Sequence, residues 1–375
     1  MRGMRGCVLR RALSLLCLAL IGLQAGGSAQ ALSGEAAQDR TAKAWLGLIA
    51  GPATATETVL AADMASLFTG SADLSVLPML GDAGASNLAL LLDDPHVDIA
   101  FVSTDALTEA ASNERGLADR LELVARLAPQ ELHVLARADI PGLSALSGKE
   151  VNFGPAGSAS AVTASALFKA LGVKVEALNL DASAGIERLK QSTVAAAVVV
   201  GGKPSPLVSA IPANSGIHLL PISFGAPLEA SYLPTGLLAE DYPNLIQPGG
   251  EVATVATGMV LLAARSKREP GSSERVSRFV NHVFPRFAEL QAQGRHPKWR
   301  EVNLAASLPG FKRSAAAEAW LKGHAEETPA KPVAAKARAD ARSQAAALPA
   351  SLSMSDEQRE SLFMKYIEWQ RNKLH

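Results

Sequence analysis

Cysteine is nearly missing from this chain. The only two among 375 residues are Cys7 and Cys17, so everything downstream lacks a thiol, a disulfide and a Cys-held metal. Aromatic residues are scarce, at 5%, and net charge is absent. Thirty-six Lys and Arg balance thirty-six Asp and Glu, which leaves no basic footprint for nucleic acid. The seven histidines, His96, His133, His218, His282, His296, His324 and His375, are scattered. None forms an H-x-x-x-H pair or has a Cys partner, so a metal site is not expected. Ser158 directly follows Gly157 and therefore does not sit in G-x-S-x-G. There is no P-loop, and the glycines near 154 do not match G-x-G-x-x-G. The expectation is a non-catalytic protein without a cofactor.

The N-terminal segment has the make-up of an export signal. Arg2, Arg5, Arg10 and Arg11 precede a mostly apolar stretch over 12–25. That stretch is too short for an ordinary transmembrane span. Ala29-Gln30-Ala31 fits a small-x-small cleavage site, which predicts a periplasmic product cut after Ala31; the alternative is an uncleaved anchor. Cleavage would remove four Arg and no acid, leaving a net charge of −4. Leu15-Leu16 before Cys17 does not fit an acylation site. Export with no cysteine in the mature chain suits a bacterial periplasm better than a disulfide-stapled secreted domain.

From Trp45 onward, strand and helix patterns alternate. Strands are expected over 44–50, 74–78, 97–103, 121–127 and 132–136, with helices over 56–67 and 86–92. After Pro141-Gly142 the pattern restarts: strands over 151–153, 173–178 and 193–200, helices over 158–171 and 184–191. The 193–200 run is almost wholly apolar, as in a strand buried on both faces. A long strand-like run covers 252–264. A helix is expected over 272–291, with Val276, Phe279, Val280, Val283 and Phe287 in register. The alternation predicts an α/β fold with largely parallel sheets.

The stretch V-N-F-G-P-A-G-S-A-S-A-V-T, 151–163, carries the most information. An apolar run stops at Gly154-Pro155, and a helical pattern opens at Ser158, with Val162, Ala166, Leu167 and Leu171 on one face. A strand that turns through glycines into a helix aims backbone N–H groups at whatever lies before the helix. Ser158, Ser160 and Thr163 add hydroxyls. Such an arrangement can hold a carboxylate or phosphate without Lys or Arg. It is also how an ordinary strand-to-helix turn is built.

G-P-A-G-S-A-S-A-V-T resembles the G-x-x-G-S-G-T-x-x-T loop of TAXI-type solute-binding proteins of TRAP transporters. Other segments resemble the family's landmarks in the same order: D-I-A-F-V-S-T-D-A-L (98–107), L-A-P-Q-E-L-H-V-L-A-R (127–137), G-G-K-P-S-P (201–206), A-E-D-Y-P-N-L (239–245) and V-A-T-V-A-T (252–257). The likeness covers about residues 42–322. Two departures stand out. Ala159 replaces the family's second glycine and Ser160 its Thr; Ala restricts φ where Gly is free. The first turn, Gly51-Pro52-Ala53-Thr54, lacks the family's Tyr.

The resemblance implies a two-lobed, periplasmic-binding-protein type II-like fold. Lobe 1 would comprise 42–135 plus 255–322 and lobe 2 would comprise 136–254. It implies an extracytoplasmic receptor that binds a small organic anion, a carboxylate or an amino-acid-like solute, for a TRAP-type membrane permease. The candidate ligand residues are Gly157, Ser158, Ala159, Ser160 and Thr163 at the loop, Gly51 and Thr54 at the first turn, Ser103 and Thr104 after the third strand, and Gly202, Lys203 and Tyr242. Each has a plainer alternative: Thr54, Ser103 and Thr104 as helix caps, Lys203 as a surface lysine, Tyr242 as packing. The departures leave open a degenerate receptor acting as a periplasmic sensor or adaptor subunit. Beyond His324 the chain turns Ala- and Pro-rich, with too few large apolar residues for a core, so 324–352 is expected to be a linker. At 355–374 a capping-box spacing (Ser355, Gln358) and the stripe Leu362, Phe363, Tyr366, Ile367 predict a short amphipathic helix.

Overall fold

Twelve strands among the described residues form two separate mixed sheets. The computed structural model describes residues 43–265 and 270–324; the expected signal, linker and C-terminal helix lie outside them. In chain order the strands are β1 (Ala44–Ile49), β2 (Leu74–Met79), β3 (Ile99–Ser103), β4 (Leu121–Arg126), β5 (Gln130–Arg137), β6 (Glu150–Asn152), β7 (Glu176–Leu178), β8 (Ala196–Gly201), β9 (Ile217–Leu219), β10 (Leu233–Leu238), β11 (Glu251–Thr257) and β12 (Met259–Ala264). The first sheet runs β2-β1-β3-β12-β4, and the second runs β10-β11-β5-β8-β6-β7, with β9 paired to β5. β1 is parallel to β2 and β3, while β12 is antiparallel to both its neighbours.

Burial on both faces explains the apolar runs. In β3, Ile99 and Phe101 pack into one core, and Ala100 and Val102 into another on the opposite face. β8 does the same in the second sheet: Ala196, Val198 and Val200 face one core, and Ala197 and Val199 the other. Fully burying a valine or phenylalanine contributes about 1.5–3 kcal/mol, so these two strands anchor their sheets.

The chain crosses from the first sheet to the second between β4 and β5, and returns between β11 and β12. Here the sequence expectation needs correction twice. The expectation of largely parallel sheets does not hold, because β12 runs antiparallel to β3 and β4, and β5 runs antiparallel to β8, β9 and β11. The 252–264 run is not one strand; it breaks at Gly258 and its halves belong to different sheets. Gly258 is required there because a β-carbon would stand 2.7 Å from the Thr104 side chain. Thr104 grips the crossover: its N–H donates to the Gly258 carbonyl at 2.9 Å, and its Oγ1 accepts from the Gly258 N–H at 3.1 Å.

The helices that shape the cleft are α1 (Thr56–Ser66), α2 (Ala85–Asp93), α3 (Thr104–Asn113), α4 (Leu117–Arg120), α5 (Ala159–Ala170) and α6 (Ala182–Lys190); α7 (Pro206–Ser209), α8 (Ser272–Val283), α9 (Phe287–Leu290) and α10 (Ala315–Gly323) complete the set. The helix expected over 272–291 stops at Val283 and resumes only at Phe287. Pro285, which has no N–H to donate, interrupts it. α4, α7, α10, β9 and β10 were not anticipated, and α3 starts where Ser103 was weighed as a cap. β10 carries Pro234 and Gly236, which disguise it as loop.

Candidate functional site

Three helices begin at one cleft of about 350 Å³ between the two sheets. α1 follows β1, α5 follows β6 and α6 follows β7, so each strand delivers its helix N-terminus to the same side. The lining includes Pro52–Glu57 from the α1 turn, Ser158–Ser160 from α5 and Asp181–Ser183 from α6. β8 supplies Val199, Val200 and Gly201, the following turn Ser205 and α7 Leu207 as a further wall.

The opening amides of these helices are unevenly used. In α5, Ala159 N–H donates to the Asp82 carbonyl at 3.1 Å, Ala161 N–H to Ser158 Oγ at 3.2 Å and Val162 N–H to the Ser158 carbonyl. In α6, Asp181 Oδ1 takes the Ala184 N–H at 2.9 Å. Among the described residues, the Thr56, Ser160, Ala182 and Ser183 amides have no hydrogen-bond partner. All four residues line the cleft. Each helix end carries roughly half a positive charge, so three helices concentrate positive potential there. Among the described residues, no Lys, Arg or His lines the cleft.

Of the residues named from sequence, Thr54, Ser158, Ala159 and Ser160 line the cleft. Ser158 caps α5, and Ser160 Oγ accepts the Val200 N–H at 3.0 Å, tying α5 to the end of β8. Gly157 holds φ +78°, and its carbonyl accepts the Ala85 N–H at 2.8 Å. Gly51 supports the first turn, accepting Thr58 Oγ1 at 2.9 Å and the Gly81 N–H at 3.1 Å on its carbonyl. Thr163 is fully buried and donates to Asp105 Oδ2 at 2.7 Å. Ser103 caps α3, and Thr104 holds the Gly258 crossover. Gly202 accepts Thr56 Oγ1 at 2.8 Å on its carbonyl, and a β-carbon there would meet Lys298 and Thr56 at under 3 Å. Lys203 donates its backbone N–H to Glu131 Oε2 and its ammonium to the Gly236 carbonyl. Tyr242 is buried behind the cleft wall; its hydroxyl accepts the Ser205 N–H at 2.8 Å.

The chain matches the NMT1-like family over residues 50–304, some two-thirds of its length. It belongs to that family. The grouping is coarser than the TAXI resemblance, and the matched span contains all twelve candidate residues. The periplasmic binding protein BugD is similar in structure, with 13% identity, covering 76% of this chain and 94% of its own, at a TM-score of 0.45. A TctC solute-binding protein from Polaromonas shows 17% identity, covering 76% and 97%, at a TM-score of 0.40. The alkanesulfonate-binding protein SsuA from Xanthomonas axonopodis pv. citri, bound to MOPS, shows 15% identity, covering 70% and 85%, at 0.41.

The acidic lining of this NMT1-like chain was not anticipated. Glu57 in α1, Asp82 in the turn after β2 and Asp181 before α6 all face the cleft. Asp82 Oδ1 takes the Gly84 N–H at 2.9 Å. Glu57 is 2% exposed, and burial pushes its carboxyl up to about 7, opposed only by its own backbone amide. Its position was the available signal: an acid in the first helical turn after a parallel strand stands at the sheet edge where ligands bind.

Proposed function

We propose that this chain is an extracytoplasmic solute receptor that binds a small organic anion, a carboxylate or an amino-acid-like solute, in the cleft between its sheets and delivers it to a TRAP-type permease. One observation carries the reading: four residues at the starts of three helices, each with an unpartnered amide among the described residues, line a single small cavity. Backbone N–H groups at helix starts bind anions without a cationic side chain, and this cavity has none. Ser160 Oγ accepts from Val200 and keeps its own hydrogen for a second partner. The export signal expected from Arg2 to Ala31, with cleavage after Ala31, supports a periplasmic site of action. The order of the TAXI-like landmarks supports the permease class.

Native mass spectrometry of the exported protein, followed by calorimetry with whatever small molecule is released, tests this. Ser183→Phe, at an exposed cleft-lining position in the first turn of α6, should fill the cleft and abolish binding while the melting temperature holds. A folded protein that binds no small molecule would shift the reading to a sensor or adaptor subunit built on the same frame.

A further inference from the structure

Glu57 is the cleft group that an anion receptor leaves unexplained. It is the second residue of α1 and is 2% exposed. Its Oε2 is buried and has no hydrogen-bond partner. Gly51 makes room for it: a β-carbon there would stand 3.1 Å from Oε2. A carboxylate of this kind would ordinarily be paired inside the fold, because an unmet buried charge is costly. Among the described residues, no cationic side chain lines the cleft to pair it. The buried Lys298 lies beyond Gly202 and is held by Glu131 at 2.6 Å and Glu301 at 2.8 Å. The other two acids of the cleft each spend an oxygen on a backbone amide, Asp82 on Gly84 and Asp181 on Ala184.

A plain dicarboxylate would add negative charge to a cavity that already holds three acids. A solute carrying an ammonium group beside its carboxylate satisfies both halves of the lining. We infer that Glu57 accepts a hydrogen bond from a cationic amine of the solute, so that the cleft selects a zwitterion whose carboxylate rests on the helix amides. This rests on the receptor reading above and narrows its ligand class. Glu57 is then the residue that distinguishes an amino acid from the corresponding simple acid.

Calorimetry on the full chain with matched pairs tests it: L-alanine and propionate, L-leucine and 4-methylpentanoate, L-glutamate and glutarate. The wild type should bind at least one amino acid and reject its partner lacking the amine. Glu57→Gln should lose about 10- to 100-fold on that amino acid, the worth of a hydrogen bond to a charged group. Its melting temperature should not fall, which separates lost recognition from lost folding. Amino-acid affinity should weaken as pH falls below about 7, where Glu57 takes up a proton. The titratable neighbours to be weighed in that profile are Asp82 and Asp181 in the cleft and the Lys298–Glu131–Glu301 group behind Gly202.

Equal or tighter binding of the simple acids, or affinity that rises as pH drops through 7, overturns the inference. Both outcomes would leave the receptor reading standing, with a protonated Glu57 donating to a carboxylate. A co-purified solute without an amine would have the same effect. A folded protein that carries and binds no small molecule overturns both readings.

Discussion

Gly84 and Gly157 meet beside the cleft, where the two halves of the fold touch with no space between them. A β-carbon on Gly84 would stand 2.1 Å from the Gly157 carbonyl oxygen, and 2.7 Å from the Ala159 nitrogen. That carbonyl also accepts the Ala85 N–H, and the Asp82 carbonyl accepts Ala159 N–H. The start of α2, beside the first sheet, is thus seated directly on the start of α5, beside the second.

Gly84→Ala should wedge this seam open. Overpacking a close contact costs about 1–3 kcal/mol, and the halves can escape it by separating. The expected result is solute affinity weakened by about tenfold and a larger radius of gyration in small-angle scattering. An unchanged scattering curve with unchanged affinity would show that the seam does not govern closure.

A second contact between the halves lies deeper. Thr163 of α5 donates to Asp105 of α3 at 2.7 Å, and burial raises the Asp105 carboxyl above its usual range. The Tyr232 hydroxyl donates to the Thr163 carbonyl at 3.4 Å, a long bond. Thr163→Val should cost about 1.5–3 kcal/mol, as expected for a hydrogen bond to a charged group. A double-mutant cycle with Asp105→Asn should show strong coupling in chemical denaturation. Strict additivity would mean that the bond is not formed in solution.

Much of this was legible in the sequence for a simple reason. β3 and β8 are buried on both faces, so their apolar runs are unbroken. α5 begins at the expected Gly-Ser turn, but the face that packs holds Ala161, Ala164, Leu167 and Phe168, whereas Ala166 of the expected face is exposed. The Gly258 crossover was hidden because the residues on both sides of it suit strands equally well; only Thr104, far away in sequence, shows why a glycine stands there. Periodicity identified Thr163 as part of the α5 start but not what it meets, and it meets Asp105. Glu57 was overlooked because an acid in a first helical turn is ordinary helix chemistry. Its place at the sheet edge was readable, but its burial beside Gly51 is a tertiary fact that no local pattern reports.

Glu57 also makes stability depend on pH. Its carboxyl titrates near 4.5 in the unfolded chain and near 7 in the folded one. Between those values the folded state keeps a proton that the unfolded state has lost. Stability therefore falls as pH rises through that window and levels off above it. The full loss is about 3 kcal/mol. Glu57→Gln should remove it, melting above the wild type at about pH 8 and close to it at about pH 4. A difference in melting temperature that stays constant across the window would contradict the assignment.

Tyr242 offers a test of how the cleft wall is held from behind. Its hydroxyl accepts the Ser205 N–H at 2.8 Å and stands 2.6 Å from His133 Nε2. Burial pushes the phenol's pKa up, so the group stays protonated and can donate. Burial also lowers His133 to about 4, which keeps the ring neutral. The hydrogen bonds then have one consistent direction: Tyr242 donates to Nε2, and Nδ1 donates to the Val199 carbonyl at 3.2 Å. Tyr242→Phe leaves the Ser205 N–H and Nε2 without their partner, so about 1–3 kcal/mol of stability should be lost. Ser205 lines the cleft and Tyr242 does not, so solute affinity should also fall, through a loosened 201–205 turn. Histidine gives the pH signature. The unfolded chain takes up a proton below about 6.5 while folded His133 resists until about 4, so this site's contribution is lost as pH falls through that window. Thermal melts and calorimetry across that range check both effects. Full affinity in a stable Tyr242→Phe protein would show that the wall holds without it.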